Sequence, residues 1–156
     1  ESSGICHYLG TRHGPTPLVV AVDEPAYGAF LNWMYFSDAT LTFPQTLVLR
    51  YTQLEPEERR NPQVAGDYAK WFLGRLRAVE AATAGSEWLC AGRFTAADVV
   101  NGYALRLAER LGLAKDFGPN VQAYWQRLQA REGYNRAVAA ERKASVEQNI
   151  APRATA

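Results

Sequence analysis

Phe94-Thr95-Ala96-Ala97-Asp98-Val99 decides how this chain folds, because it marks the start of a helix. Thr95 stands where an N-cap stands, its hydroxyl placed to accept a bond from the amide three residues on. Asp98, at the third helical position, reaches back to the Thr95 amide, so the two predict a reciprocal capping box. Phe94 and Val99 flank the box at the spacing of a hydrophobic staple, which would fix the angle at which the chain runs into the helix. Onward to about Leu111, the residues Val99, Val100, Tyr103, Ala104, Leu107 and Leu111 predict a wide apolar face. A central, mostly buried helix is expected from such a face.

Working outward, the same local chemistry marks further helices. Asn61 is a cap, Pro62 suits the first helical position, and Val64, Tyr68, Trp71, Phe72, Leu76 and Val79 repeat at close to 3.6 residues until about Thr83. Gly85 ends that helix, and Trp88 and Leu89, in the short connection to the capping box, are expected to plug the core. Residues 25–43 carry Tyr27, Phe30, Trp33, Tyr35, Phe36 and Phe43, too many aromatics for one face. Pro25 opens that helix behind Asp23 and Glu24, and Pro44 is expected to kink or end it. Residues 14–24, with Pro15 and Pro17, read as a linker, and residues 1–13 as a short helix with Ile5, Tyr8 and Leu9 on one face. Beyond the central helix, Gly112 is a stop and Pro119 a start, followed by a buried stripe of Val121, Tyr124, Trp125 and Leu128. A last helix follows Arg131. The expected organisation is therefore a helix over 1–13, a linker over 14–24, a helical domain over 25–144 and a frayed tail over 145–156.

Composition narrows the class without naming an activity. The chain has 156 residues, 47% hydrophobic and 21% charged, with a formal net charge of +1. That suits one soluble globular domain and suggests neither a nucleic-acid face nor a membrane surface. No apolar run approaches a membrane span. Two cysteines, Cys6 and Cys90, do not make a secreted disulfide framework; both read as structural thiols in a reducing, cytoplasmic setting. His7 and His13 have no partners at metal-ligand spacing, so no metal is expected. Arg127, Arg131 and Arg136 read as a solvated, charge-balanced face. No phosphate-binding glycine loop or nucleophile elbow is present.

Two motifs carry a family resemblance. Gly92-Arg93-Phe94-Thr95-Ala96-Ala97-Asp98 resembles the G-x-x-F-T-x-A-D signature of the helical C-terminal domain of glutathione transferases (GSTs). Glu1-Ser2-Ser3-Gly4-Ile5-Cys6-His7-Tyr8-Leu9 resembles the E-S-x-A-I-x-x-Y-L segment that closes their thioredoxin-like domain. The similarity, to bacterial-type members, runs to about Lys143, with Glu132 standing where proline is usual. It implies an all-α fold, a GST C-terminal-like helical bundle, preceded by the terminal helix of a truncated thioredoxin-like domain.

The resemblance also implies a site. Glu1 and Ser2 match the residues that bind the γ-glutamyl end of glutathione, and the physics agrees: a helix start offers free amides and partial positive charge to a carboxylate. The Ser2 hydroxyl adds a donor and the Glu1 carboxylate pairs with an ammonium. Tyr35, Thr42 and, more weakly, Asp38 fall where some bacterial members place polar groups facing the electrophile pocket or the partner subunit's glutathione. The implied activity is conjugation of the glutathione thiolate to hydrophobic electrophiles, a detoxification reaction, in a homodimer with glutathione as co-substrate. The thiol-activating residue of the family lies near the start of the thioredoxin-like domain and has no match here. The chain by itself is therefore expected to be nearly inactive, the back portion of such an enzyme. The alternatives are a non-catalytic assembly module, or a glutathione-dependent isomerase or dehalogenase on the same fold.

Overall fold

A computed structural model describes residues 1–150. Its regular elements are helices: α1 (Ser2–Arg12), α2 (Tyr27–Phe36), α3 (Phe43–Leu49), α4 (Pro62–Thr83), α5 (Ala96–Arg110), α6 (Pro119–Gln129) and α7 (Glu132–Glu147). No strand occurs among the described residues, so the all-α bundle implied by the motifs is the fold found. Helix α5 is its axis, packed against α1, α2 and α6. Its first half meets Val20, Phe30, Met34 and Cys90. Its second half meets Phe72, Leu76, Tyr124, Trp125 and Leu128.

The capping box forms at the head of α5, and its acidic half is the stronger. Asp98, fully buried, accepts from the Thr95 amide at 2.8 Å and the Thr95 hydroxyl at 3.2 Å on one oxygen. Its other oxygen accepts from the Leu89 amide at 3.1 Å and the Tyr124 hydroxyl at 2.9 Å. Burial pushes the Asp98 carboxyl above its ordinary range, while these donors pull it back. The Asp98 amide makes a 3.0 Å bond to the Thr95 carbonyl. The expected staple is not what anchors the helix. Val99 is 42% exposed, and Phe94 lays its ring edge-on to Trp88 at 5.1 Å, under the Arg131 guanidinium.

The buried face of α5 also differs from the expected one. It runs through Ala97, Val100, Asn101, Ala104, Leu105 and Ala108, whereas Tyr103 is exposed. Small side chains let neighbouring helices come close: a Cβ on Gly102 would stand 3.2 Å from Leu128 Cδ1. The close contact is sewn with polar bonds to α5 carbonyls. Ser37 donates to Val100 at 2.7 Å, and Gln45 to Ala104 at 3.0 Å. In return Asn101 donates to the Trp33 carbonyl at 2.8 Å. The helix stops at Gly112 in a Schellman arrangement, with Gly112 at φ 72° and the Leu113 amide bonded to the Ala108 carbonyl at 2.9 Å.

Pro44 neither ends nor breaks its helix. The chain stays helical over residues 27–54, with π-helical segments at Ser37–Thr42 and Arg50–Leu54. The wider turn before Pro44 reconciles a residue without an amide proton with a continuing helix. Asn61 caps α4 as expected, accepting from the Val64 amide at 3.1 Å. Trp71, however, is 46% exposed, and the buried stripe of α4 is Ala65, Phe72, Leu76, Val79 and Thr83.

From the same helix, Glu80 caps a neighbour. Its carboxylate accepts from the Asn120 amide at 3.0 Å and the Val121 amide at 2.8 Å at the start of α6. Gly118 permits this approach, since a Cβ there would lie 2.5 Å from Glu80 Oε2. Replacing Glu80 by alanine is expected to lower stability by about 1–2 kcal/mol, the range of a lost helix cap. Urea unfolding measures it, and an unmoved midpoint would deny the cap any energetic role.

Helix α7 runs to Glu147, three residues into the segment expected to fray; residues 151–156 of that tail lie outside the described residues. It is tied to α5 by Glu141, 2.6 Å from Arg106 and 3.0 Å from Arg110. Of the arginines beyond α5, Arg131 and Arg136 are exposed as expected, whereas Arg127 is half-buried. Arg127 and Arg131 cover the Trp88 ring, and Arg136 pairs with Glu132.

Candidate functional site

Helix α1 begins with Glu1 as its cap residue and no side-chain cap bond. The amides of its first turn therefore lie outside the intrahelical ladder and point outward. Glu1 and Ser2 are exposed at this end. Ser3 is 2% exposed with its hydroxyl unpartnered, a residue the motif left as an x. Only its burial singles it out.

Asp38 lies in the first π-helical segment. Burial raises the Cys6 thiol first, and the charge of Asp38 adds to the rise. The Cys90 thiol is also raised, chiefly by burial, and lies 3.8 Å from the Thr95 hydroxyl. Both shifts disfavour the thiolate, with Cys90 buried and Cys6 half-buried. Thr42 closes the same π-helical segment with its hydroxyl buried and unpartnered, while Tyr35, on α2, is 61% exposed. Tyr35 thus stands out in solvent.

On the α4 side of the same segment lies a shallow groove of about 310 Å³, lined by Phe36, Ala39, Thr40, Pro44, Trp71 and Arg75. None of Tyr35, Asp38 and Thr42 lines it. Its aromatic wall continues outward, Trp71 stacking on Tyr68 at 5.5 Å and Phe43 meeting Tyr68 edge-on at 6.5 Å. The repeat of about 3.6 residues puts Trp71 on the apolar stripe of α4, and Arg75 one turn later, over its ring at 5.9 Å, is the available hint that it faces water. Among the described residues no group of three or more histidine, cysteine or acidic side chains could hold a metal.

The family model described as "Glutathione S-transferase, C-terminal domain" matches residues 50–132. The chain belongs to the glutathione S-transferase family. It is 31% identical over 153 residues to glutathione S-transferase hmp2 of Hypomyces subiculosus, covering 91% of this chain and 70% of the relative. Ure2p5 from Phanerochaete chrysosporium, cocrystallized with 1-(S-glutathionyl)-2,4-dinitrobenzene, superposes with a TM-score of 0.82 at 22% identity, over 97% of this chain and 71% of its own. A glutathione transferase from Methylococcus capsulatus superposes with a TM-score of 0.77 at 25% identity, over 90% of this chain and 66% of its own. Fungal and bacterial GSTs therefore both resemble it, and the bacterial-type affinity suggested by the motifs widens to the family.

Proposed function

We propose that this chain carries the helical part of a glutathione transferase that joins the glutathione thiolate to hydrophobic electrophiles. The observation that carries the reading is the open start of α1, where exposed Glu1 and Ser2 stand beside free amides. The γ-glutamyl carboxylate is taken by the amides and the Ser2 hydroxyl, and its ammonium by Glu1. Tyr35, Asp38 and Thr42 are assigned to the electrophile pocket or to the partner subunit's glutathione. The thiolate attacks the electrophilic carbon; with 1-chloro-2,4-dinitrobenzene the new bond is C–S and chloride leaves with the electron pair. No thiol-activating role is assigned to any residue in 1–156, so this stretch assayed alone is expected to turn over little. Homodimerisation is supported by the uncovered aromatics Tyr35, Phe43 and Trp71, and a cytoplasmic, detoxifying role by the chemistry proposed.

Calorimetric titration with glutathione tests the site. Ser2→Ala is expected to weaken binding by about fivefold, one lost hydrogen bond, and Glu1→Gln by more. Equal affinity in both variants would remove these residues from the site and favour the non-catalytic module.

A further inference from the structure

We infer that Arg93 is a positioning residue for the glutathione end of the site, acting on α1 through the 14–24 segment; this rests on the reading of Glu1 and Ser2 given above. Arg93 precedes the capping box, yet its guanidinium spends every bond on residues about seventy positions upstream. Nη1 and Nη2 each reach a Glu24 oxygen at 2.8 Å, Nε donates to the Pro17 carbonyl at 3.1 Å, and Nη2 to the Val19 carbonyl at 3.3 Å. A planar fork makes such a set; an ammonium does not. Glu24 is turned into place by the Ala21 amide, 2.8 Å from Oε1. Its carboxyl is lowered to about 2, by the Arg93 bond first and the Ala21 bond second. A depressed carboxyl contributes stability above its unfolded range, and that contribution fades as pH falls toward 2.

The clamp reaches α1 through Val19. Its side chain occupies the space a Cβ on Gly10 would need, which would stand 2.1 Å from Val19 Cγ2. Beside it, the Leu18 carbonyl accepts from the Ala96 amide at 2.7 Å, and Val20 is fully buried against Ala97 and Val100. The segment read from sequence as a plain linker is therefore a strap. Arg93 sets the Val19 backbone, Val19 sets the α1 backbone at Gly10, and α1 presents Glu1 and Ser2 at its other end. A rigid helix passes a displacement at Gly10 on to its first turn.

The test compares Arg93→Gln, Arg93→Lys and a control, Arg106→Gln, which removes an ion pair on the α7 side of α5. In Arg93→Gln, amide exchange in α1 is expected to speed up by about tenfold while α6 is unchanged. The glutathione dissociation constant, read from the Ser2, Ser3 and Gly4 amide shifts, is expected to rise about fivefold through lost preorganisation. Arg93→Lys should fall between, keeping the charge but not the fork, and Arg106→Gln should move neither reading. Wild-type binding that persists unchanged in Arg93→Gln and Arg93→Lys, or that weakens equally in Arg106→Gln, overturns this inference alone. A wild-type chain whose first-turn amides ignore millimolar glutathione overturns the underlying reading, and this inference with it.

Discussion

Asp98→Ala is expected to destabilise the domain by about 4 kcal/mol, several times the cost of losing an exposed cap. The carboxylate receives two backbone amides and two hydroxyls in a fully buried setting. The Thr95 and Tyr124 hydroxyls can rotate, but the Leu89 and Thr95 amides cannot, and each buried amide left without an acceptor costs about 1–3 kcal/mol. At about 2–4 °C per kcal/mol for a chain of this size, the melting temperature should fall by roughly 10 °C. Asp98→Asn, which keeps one acceptor oxygen and the shape, should lose about half as much. A melt of Asp98→Ala that overlays the wild type would mean the network is not what holds the head of α5.

Trp125→Ala is the second large effect, expected at about 3–5 kcal/mol from the cavity it leaves. Trp125 is 1% exposed, its indole N–H donates to Glu109 at 3.2 Å, and its ring meets Tyr134 edge-on at 5.6 Å. Trp71 supplies the contrast. At 46% exposed, its replacement by alanine should cost about 1–2 kcal/mol, roughly half as much. Chemical denaturation of the two variants side by side checks both, and equal losses would place Trp71 in the core after all.

The contrast shows what the sequence makes readable. Most signals that act within a few residues survive into the structure, namely the Thr95–Asp98 box, the Asn61 cap, the Gly112 stop, and prolines at the starts of α4 and α6, whereas the Phe94–Val99 staple and the break at Pro44 do not. Their physics is closed inside one turn. The side a helix turns inward is set by its neighbours, and there the size of side chains misled. Val99 and Tyr103 look like core yet face solvent, while Ala97, Ala104 and Ala108 are buried because small residues let other helices come near. For the proposed site, Glu1 and Ser2 come from the motif at the start of α1, and Tyr35, Asp38 and Thr42 from residue-level resemblance alone. The burial of Ser3 and the contacts of Arg93 with Glu24 and of Val19 with Gly10 are not legible in the sequence, since they depend on how separate segments meet.

The widened turn at Ser37–Thr42 has a consequence for how this helix tolerates change in length. A five-residue hydrogen-bonding step holds one residue more than the regular coil on either side. Removing a single amino acid there would tighten the coil to the ordinary pitch and leave the flanking stretches facing the same neighbours. The same deletion a few positions earlier, among the aromatics of α2, would swing every later side chain by about a quarter turn. Shortening by one is thus expected to be mild at Ala39 and ruinous at Leu31.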